Sequence, residues 1–232
     1  MAIAPDSGES FAREVDENLR RDQATDFAKR FGGWIAGAIL LLLAAAGGYL
    51  FWQDRQRAAA ERHGEELSQV LTDVGTGNTG TAPARLQKLR NADSDGFRAA
   101  AMLTEAALAV QQNDRKAAIE HYAAIATDES LPREYRDLAT IRRTALDFDS
   151  VQPKDVINRL APLAKADNPW FGSAGELTAL AMLKLGRQAE AGRLLATIAG
   201  DRKVPASIRD RSAQLATTLG TEVPALNPRP AR

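Results

Sequence analysis

The chain of 232 residues carries 30 Lys and Arg against 30 Asp and Glu, so it lacks the basic field that nucleic-acid binding needs. It has no cysteine, which excludes a disulfide scaffold and leaves no thiol for an oxidising compartment to modify. The 44% hydrophobic share supports one domain with a real core, but it is distributed unevenly along the chain.

Residues 1–30 are polar and read as a short N-terminal segment. Phe11, Val15, Leu19, Phe27 and Phe31 recur at roughly helical spacing and predict a short amphipathic helix over that stretch. Phe31 to Trp52 then form an uncharged run of 22 residues. At ~1.5 Å per residue a helix of that length spans about 33 Å, which matches a hydrocarbon core of roughly 30 Å. Lys29 and Arg30 stop the run on one side, and Asp54, Arg55 and Arg57 on the other. Trp34, Tyr49 and Trp52 lie near its ends, where amphipathic rings favour the headgroup level. The expectation is a single transmembrane helix over 31–52.

Ala44, Ala45 and Ala46 would suit a signal peptidase, but seven Asp or Glu precede the run and the apolar stretch continues through Trp52. A signal n-region is short and positive, so an uncleaved anchor is the better reading. Within 20 residues of the ends, five basic residues precede the span (Arg13, Arg20, Arg21, Lys29, Arg30) and three follow it (Arg55, Arg57, Arg62). The positive-inside rule then favours a cytoplasmic N-terminus and places the rest of the chain outside the cytoplasm. Gly33 and Gly37 have the spacing of a small-residue helix contact, although glycine is simply common in membrane helices.

Beyond the span, helical character continues from Arg57 to Val74 on a stripe of Ala58, Leu67, Val70, Leu71 and Val74. Three glycines between Gly75 and Thr81 predict a loop. From Pro83 to Gly220 nearly every segment reads as helix, with no alternating β-branched run. A disordered tail is expected over 221–232, which holds Pro224, Pro228 and Pro230. The expected division is therefore 1–30, 31–52, a helical domain at 53–220, and the tail.

The helical region repeats internally. Leu131-Pro132, Asn168-Pro169 and Val204-Pro205 recur at intervals of 37 and 36 residues. Proline fits the first turn of a helix, so each pair should open the first helix of a new hairpin. Gln111 to Asp128 aligns with Lys184 to Asp201 at an offset of 73. The alignment puts Asn113 and Gly186 in a turn that suits left-handed backbone. Ala118 with Ala191, and Ala106 with Ala179, fall where helices approach closely. Tyr122 with Leu195, and Ile125 with Ile198, fill the space between repeats. In the divergent middle unit Val156, Leu160 and Leu163 take the core positions, and Pro162 should shorten that helix.

This pattern resembles the tetratricopeptide repeat, with a longer period and without the Trp and Leu-Gly signatures of its first helix. The fold class expected is all-α: one N-terminal transmembrane helix, then a tetratricopeptide-like domain of helical hairpins. A second likeness lies in Glu14 to Gln23, followed by Phe27-Ala28-Lys29-Arg30-Phe31-Gly32 running into the anchor. That segment resembles the opening of the tetratricopeptide-like ancillary subunits of the bacterial Sec translocon. The resemblance implies a single-pass inner-membrane protein with a periplasmic repeat domain that contacts the Sec translocon and periplasmic chaperones and helps hand over exported proteins.

Nothing in the chain reads as catalytic. His63 and His121 stand 58 residues apart, without the i, i+4 spacing of a helical zinc site, and both read as solvated. No phosphate-binding, nucleophile-elbow or dinucleotide motif occurs, so no enzyme, metal or cofactor is expected. Arg133, Glu134, Arg136, Asp137, Arg142 and Arg143 cluster on one predicted helix. Arg133, Arg136, Asp137 and Arg143 are the candidates for a peptide groove, against the alternative of a solvated helix face. Helical-hairpin stacks present extended concave surfaces, which favours a membrane-anchored protein-interaction module. The competing reading is a structural scaffold of the envelope or division machinery.

Overall fold

The computed structural model describes residues 7–223, with side chains from Arg30 onward apart from positions 31, 32, 35 and 36. The described residues form nine α-helices and no strand. They belong to two compact units, Met1–Ala60 and Glu61–Arg232.

The first unit is a stretch of helix α1, which runs over Ser7–Gly75. The separate short helix expected before the apolar run is thus replaced by one uninterrupted helix. The amphipathic stripe proposed for it lies outside the described side chains. Ile39 to Leu43 are each 52–74% exposed. Five consecutive residues at ~100° per step point around the whole helix circumference, so this surface is apolar on every side rather than along one stripe. Among the described residues this is one helix long and apolar enough, by length and composition, to cross a membrane.

The second unit begins with the end of α1 and continues through α2 (Ala82–Arg90), α3 (Asp95–Gln111), α4 (Arg115–Thr127), α5 (Arg133–Asp147), α6 (Pro153–Leu160), α7 (Phe171–Lys184), α8 (Gln188–Gly200) and α9 (Ala206–Thr218). From α2 onward consecutive helices pack on one another, most slightly at α5–α6, and α3 also touches α5, α5 touches α7 and α7 touches α9. The result is a row of hairpins α3–α4, α5–α6 and α7–α8, closed by α9. The core is segmented accordingly. Val70 packs with Leu86, Leu89 and Leu108; Tyr122 and Ile125 pack with Ala99, Ala106 and Ala139; Val156, Leu160 and Leu163 pack with Ala174 and Ala181; Leu195 packs with Ala179, Ala191 and Ala216.

The 73-residue offset is visible in backbone geometry. Asn113 has φ +60° and Gly186 φ +74°. In the first turn Asp114 N–H donates to Ala109 O at 2.9 Å, and in the second Arg187 N–H donates to Met182 O at 2.9 Å. These six-residue closures satisfy the last carbonyls of α3 and α7, which need a left-handed residue to turn the chain back. Asp114 also caps α4, its carboxylate accepting from Ala117 N–H at 3.0 Å. Ala106, Ala118, Ala179 and Ala191 are all fully buried, as the alignment requires.

Three expectations need adjustment. Pro132 and Pro205 sit at the N-cap of α5 and α9, one residue ahead of the first turn, with φ near −55° and ψ +142°. Their missing N–H costs nothing there either. Pro169 lies two residues before α7. His63 is half-buried rather than solvated, its ring edge-on to Phe97 at 5.5 Å between centroids. Thr221 and Val223 do not begin a loose tail: Thr221 N–H donates to Ala216 O at 2.9 Å and Val223 packs beside Leu215 and Leu219. The rest of the expected tail lies outside the described residues. In the middle unit α6 stops at Leu160, two residues ahead of Pro162.

Candidate functional site

On the side where α3 and α5 adjoin, the second unit carries an open groove of about 450 Å³. That is within the range of roughly 300–1,000 Å³ typical of ligand sites. Leu103, Ala107 and Val110 of α3 face Leu138, Arg142 and Ala145 of α5 across it, with Leu71 and Val74 from the end of α1 and Tyr122 from α4. The wall residues of each helix recur at i, i+4 and i+7, one stripe per helix. Leu71 is 52% exposed and Val110 41% exposed, so apolar surface remains in water here.

Two polar groups interrupt the apolar lining without a hydrogen-bond or ion-pair partner among the described residues. Arg142 is exposed and makes no ion pair among the described residues, and Tyr122 lies close enough to feel its charge. Burial pushes the Tyr122 phenol above its ordinary value of 10.0, and the positive charge of Arg142 pulls it part of the way back. At neutral pH the groove therefore presents a guanidinium and a protonated phenol. Thr104 also lines the groove, but its hydroxyl donates to Ala100 O at 2.8 Å and is already satisfied.

Of the charged residues singled out on α5, Arg133, Glu134 and Asp137 are brought together, whereas Arg136, Arg142 and Arg143 are not part of that cluster. Arg133 and Asp137 pair at 3.5 Å and line a separate polar crevice with Glu134, Lys165 and Trp170. Arg143 pairs with the buried Asp147 at 3.5 Å. The Nε of Arg136 is buried without a hydrogen-bond partner. The groove itself draws on neighbouring positions, Leu138, Arg142 and Ala145, that the sequence reading passed over. A signal for them exists. α3 carries Leu103, Ala107 and Val110 in addition to its buried Ala99, Ala101, Ala106 and Leu108, more apolar surface than one core stripe uses.

Among the described residues no group of three or more His, Asp or Glu could hold a metal. His121 is exposed on α4, and the two histidines remain in different parts of the unit.

Paired helices with left-handed turns, small residues at the close contacts and an open groove between first helices define a helical-repeat protein. The family model described as tetratricopeptide repeat-like domain matches residues 25–193. The chain belongs to that family. Neither a curated protein nor a solved structure matches it.

Proposed function

We propose that the chain is a non-catalytic protein-interaction module held at the bacterial inner membrane by the helix over 31–52. Its N-terminus lies in the cytoplasm and its repeat domain in the periplasm. The observation that carries the interaction role is the open apolar groove between α3 and α5, which leaves Leu71 and Val110 in water. A concave apolar site with a few convergent polar groups is the surface on which a ligand segment can bury most of its own area. Stacked hairpins hold such a groove at fixed geometry through nearest-neighbour contacts, which suits recognition of polypeptide segments.

The all-round apolar surface of Ile39 to Leu43 supports the anchor, and the charge asymmetry around it supports the orientation. Within that setting the module is ancillary to the Sec translocon, linking exported proteins to periplasmic chaperones. This finer role rests on the likeness of Glu14 to Gln23 and Phe27 to Gly32 to the Sec-ancillary subunits.

In-cell cross-linking of the full chain, followed by mild detergent extraction and partner identification, tests this role. Translocon subunits and periplasmic chaperones are the expected partners. Recovery of division or wall-synthesis proteins in their place would favour a structural scaffold. A reporter enzyme fused after Arg232 that is active only in the cytoplasm would overturn the topology.

A further inference from the structure

The groove is built for more than apolar contact. Its lining is aliphatic apart from Thr104, whose hydroxyl is engaged internally, and two groups that have no hydrogen-bond or ion-pair partner among the described residues. Those two are the Arg142 guanidinium and the Tyr122 hydroxyl, and both are donors. A solvated arginine on a plain helix face needs no partner. This one is set in a wall whose other members lose water when a ligand seats, so an occupant without a matching acceptor would leave its donors unpaired.

The position of Arg142 in that wall matters as well. On α5, Leu138 stands one turn before it, and Ala145 and Leu146 one turn after it. Apolar lining therefore extends to both sides of the charge. A ligand whose carboxylate sits at one end would cover only one of those sides. The groove is also a cleft partly open to solvent rather than an enclosed cavity, so the tail of a fatty acid would stay partly in water. An extended or helical polypeptide meets both conditions.

We infer that the α3–α5 groove binds a polypeptide segment of aliphatic residues that carries one internal Asp or Glu, with the carboxylate paired to Arg142 and within reach of the Tyr122 hydroxyl. This rests on the interaction-module reading and names the chemistry of its partner. Guanidinium and carboxylate form a charge-assisted, geometrically specific pair, and its strength rises as the surrounding leucines exclude water. Tyr122 stays protonated at neutral pH because burial raises its phenol, so it donates rather than repels.

The test uses the full chain in nanodiscs of phosphatidylethanolamine and phosphatidylglycerol, with empty nanodiscs subtracted. The probes are two fluorescein-labelled twelve-residue peptides of leucine and alanine, one with a central glutamate and the other with glutamine in its place, both blocked at their termini. The glutamate peptide is expected to bind about tenfold more tightly than its twin, the scale of one charged hydrogen-bonded contact. Arg142→Gln should erase that preference, and Arg142→Lys should retain part of it. Ala107→Trp, which fills the groove from α3, should abolish binding of both peptides.

If both peptides bind the unaltered chain equally and Ala107→Trp abolishes them, the carboxylate inference fails while the groove reading stands. A preference that survives Arg142→Gln also overturns the inference, because the carboxylate then pairs elsewhere. Absence of binding by either peptide removes both the inference and the groove as an interaction site. Displacement of the glutamate peptide by equimolar oleate would assign the groove to lipid, and self-association lost with Ala107→Trp would assign it to a second copy. Either result overturns the proposal.

Discussion

Arg159 Nη1 donates to both carboxylate oxygens of Asp147, at 2.8 and 2.9 Å, and so ties α6 to the C-terminal turn of α5. Asp147 is only 4% exposed, and its other cation, Arg143, stands farther off at 3.5 Å. Arg159 also reaches Thr144 Oγ1 at 3.3 Å. This ion pair lies in the divergent middle hairpin, where α6 has only eight residues to bury against α5. Polar pairing there accompanies an unusually short apolar contact.

Removing one partner should cost more than removing both. Arg159→Ala leaves a buried carboxylate with one distant cation, for which about 3 kcal/mol is expected, the low end for a broken buried pair. Asp147→Leu combined with Arg159→Met should fall within about 1 kcal/mol of the unaltered protein, since an apolar pair of similar size needs no desolvation of charge. Urea unfolding of a fragment spanning 61–223 measures both. Equal losses in the single and double variants would show that the pair contributes only through its packing.

A second prediction concerns Gly172, near the start of α7. A Cβ built there would lie 2.6 Å from Val204 Cγ1 and 3.4 Å from Val204 Cγ2. The close methyl belongs to a stiff β-branched side chain, so Val204 must leave its rotamer or shift to make room. Alanine normally improves a helix by up to about 1 kcal/mol over glycine. Here Gly172→Ala should instead destabilise by about 1–2 kcal/mol, as overpacking of a filled core does. Adding Val204→Ala should recover part of the loss. Stabilisation by Gly172→Ala alone, in the same urea experiment, would show that the Val204 loop yields without cost.

The repeat was legible because its signals are local and occur twice. Asn113 and Gly186 announce their turns by the backbone they permit, and Ala118 and Ala191 mark close contacts by size. The groove was not legible, because it joins residues of α1, α3, α4 and α5 that lie far apart in sequence. On α5, Arg142 and Arg143 are adjacent in sequence yet ~100° apart around the helix. That angle takes Arg143 to Asp147 and Arg142 to the groove. A list of charges on one helix cannot make that separation without knowing which neighbours flank it.

The raised phenol of Tyr122 gives a pH-dependent prediction. A group whose pKa is higher in the folded chain than in the unfolded one contributes stability that is complete below the unfolded value and lost as pH rises through the folded one. For Tyr122 that contribution is present below 10.0 and disappears above it. Tyr122→Phe should therefore flatten the fall in stability above pH ~10. The fragment 61–223 holds only Tyr122 and Tyr135 as tyrosines, so phenolate absorbance of the two proteins can be subtracted directly. A difference spectrum that titrates at or below 10.0 would contradict the burial of this ring.

The strongest test of the repeat architecture is a comparison of four alanines. Ala118 and Ala191 are fully buried at equivalent positions on α4 and α8, whereas Ala117 is half-buried and Ala189 exposed. Ala118 is buried on α4, which packs against both α3 and α5, and Ala191 clusters with Ala179 of α7 and Ala216 of α9. Leucine at either buried position has no volume to occupy, because the interior is already close-packed. Ala118→Leu and Ala191→Leu should each cost on the order of 1–3 kcal/mol, while Ala117→Leu and Ala189→Leu should be milder. Stacked hairpins depend on their neighbours, so the loss at Ala118 should also loosen α5, detectable as faster amide exchange across Ala139 and Ile141. Thermal unfolding of the four variants ranks them. Equal tolerance at all four positions would mean that the hairpins do not meet where the 73-residue alignment puts them, and the groove between α3 and α5 would lose the scaffold that holds it open.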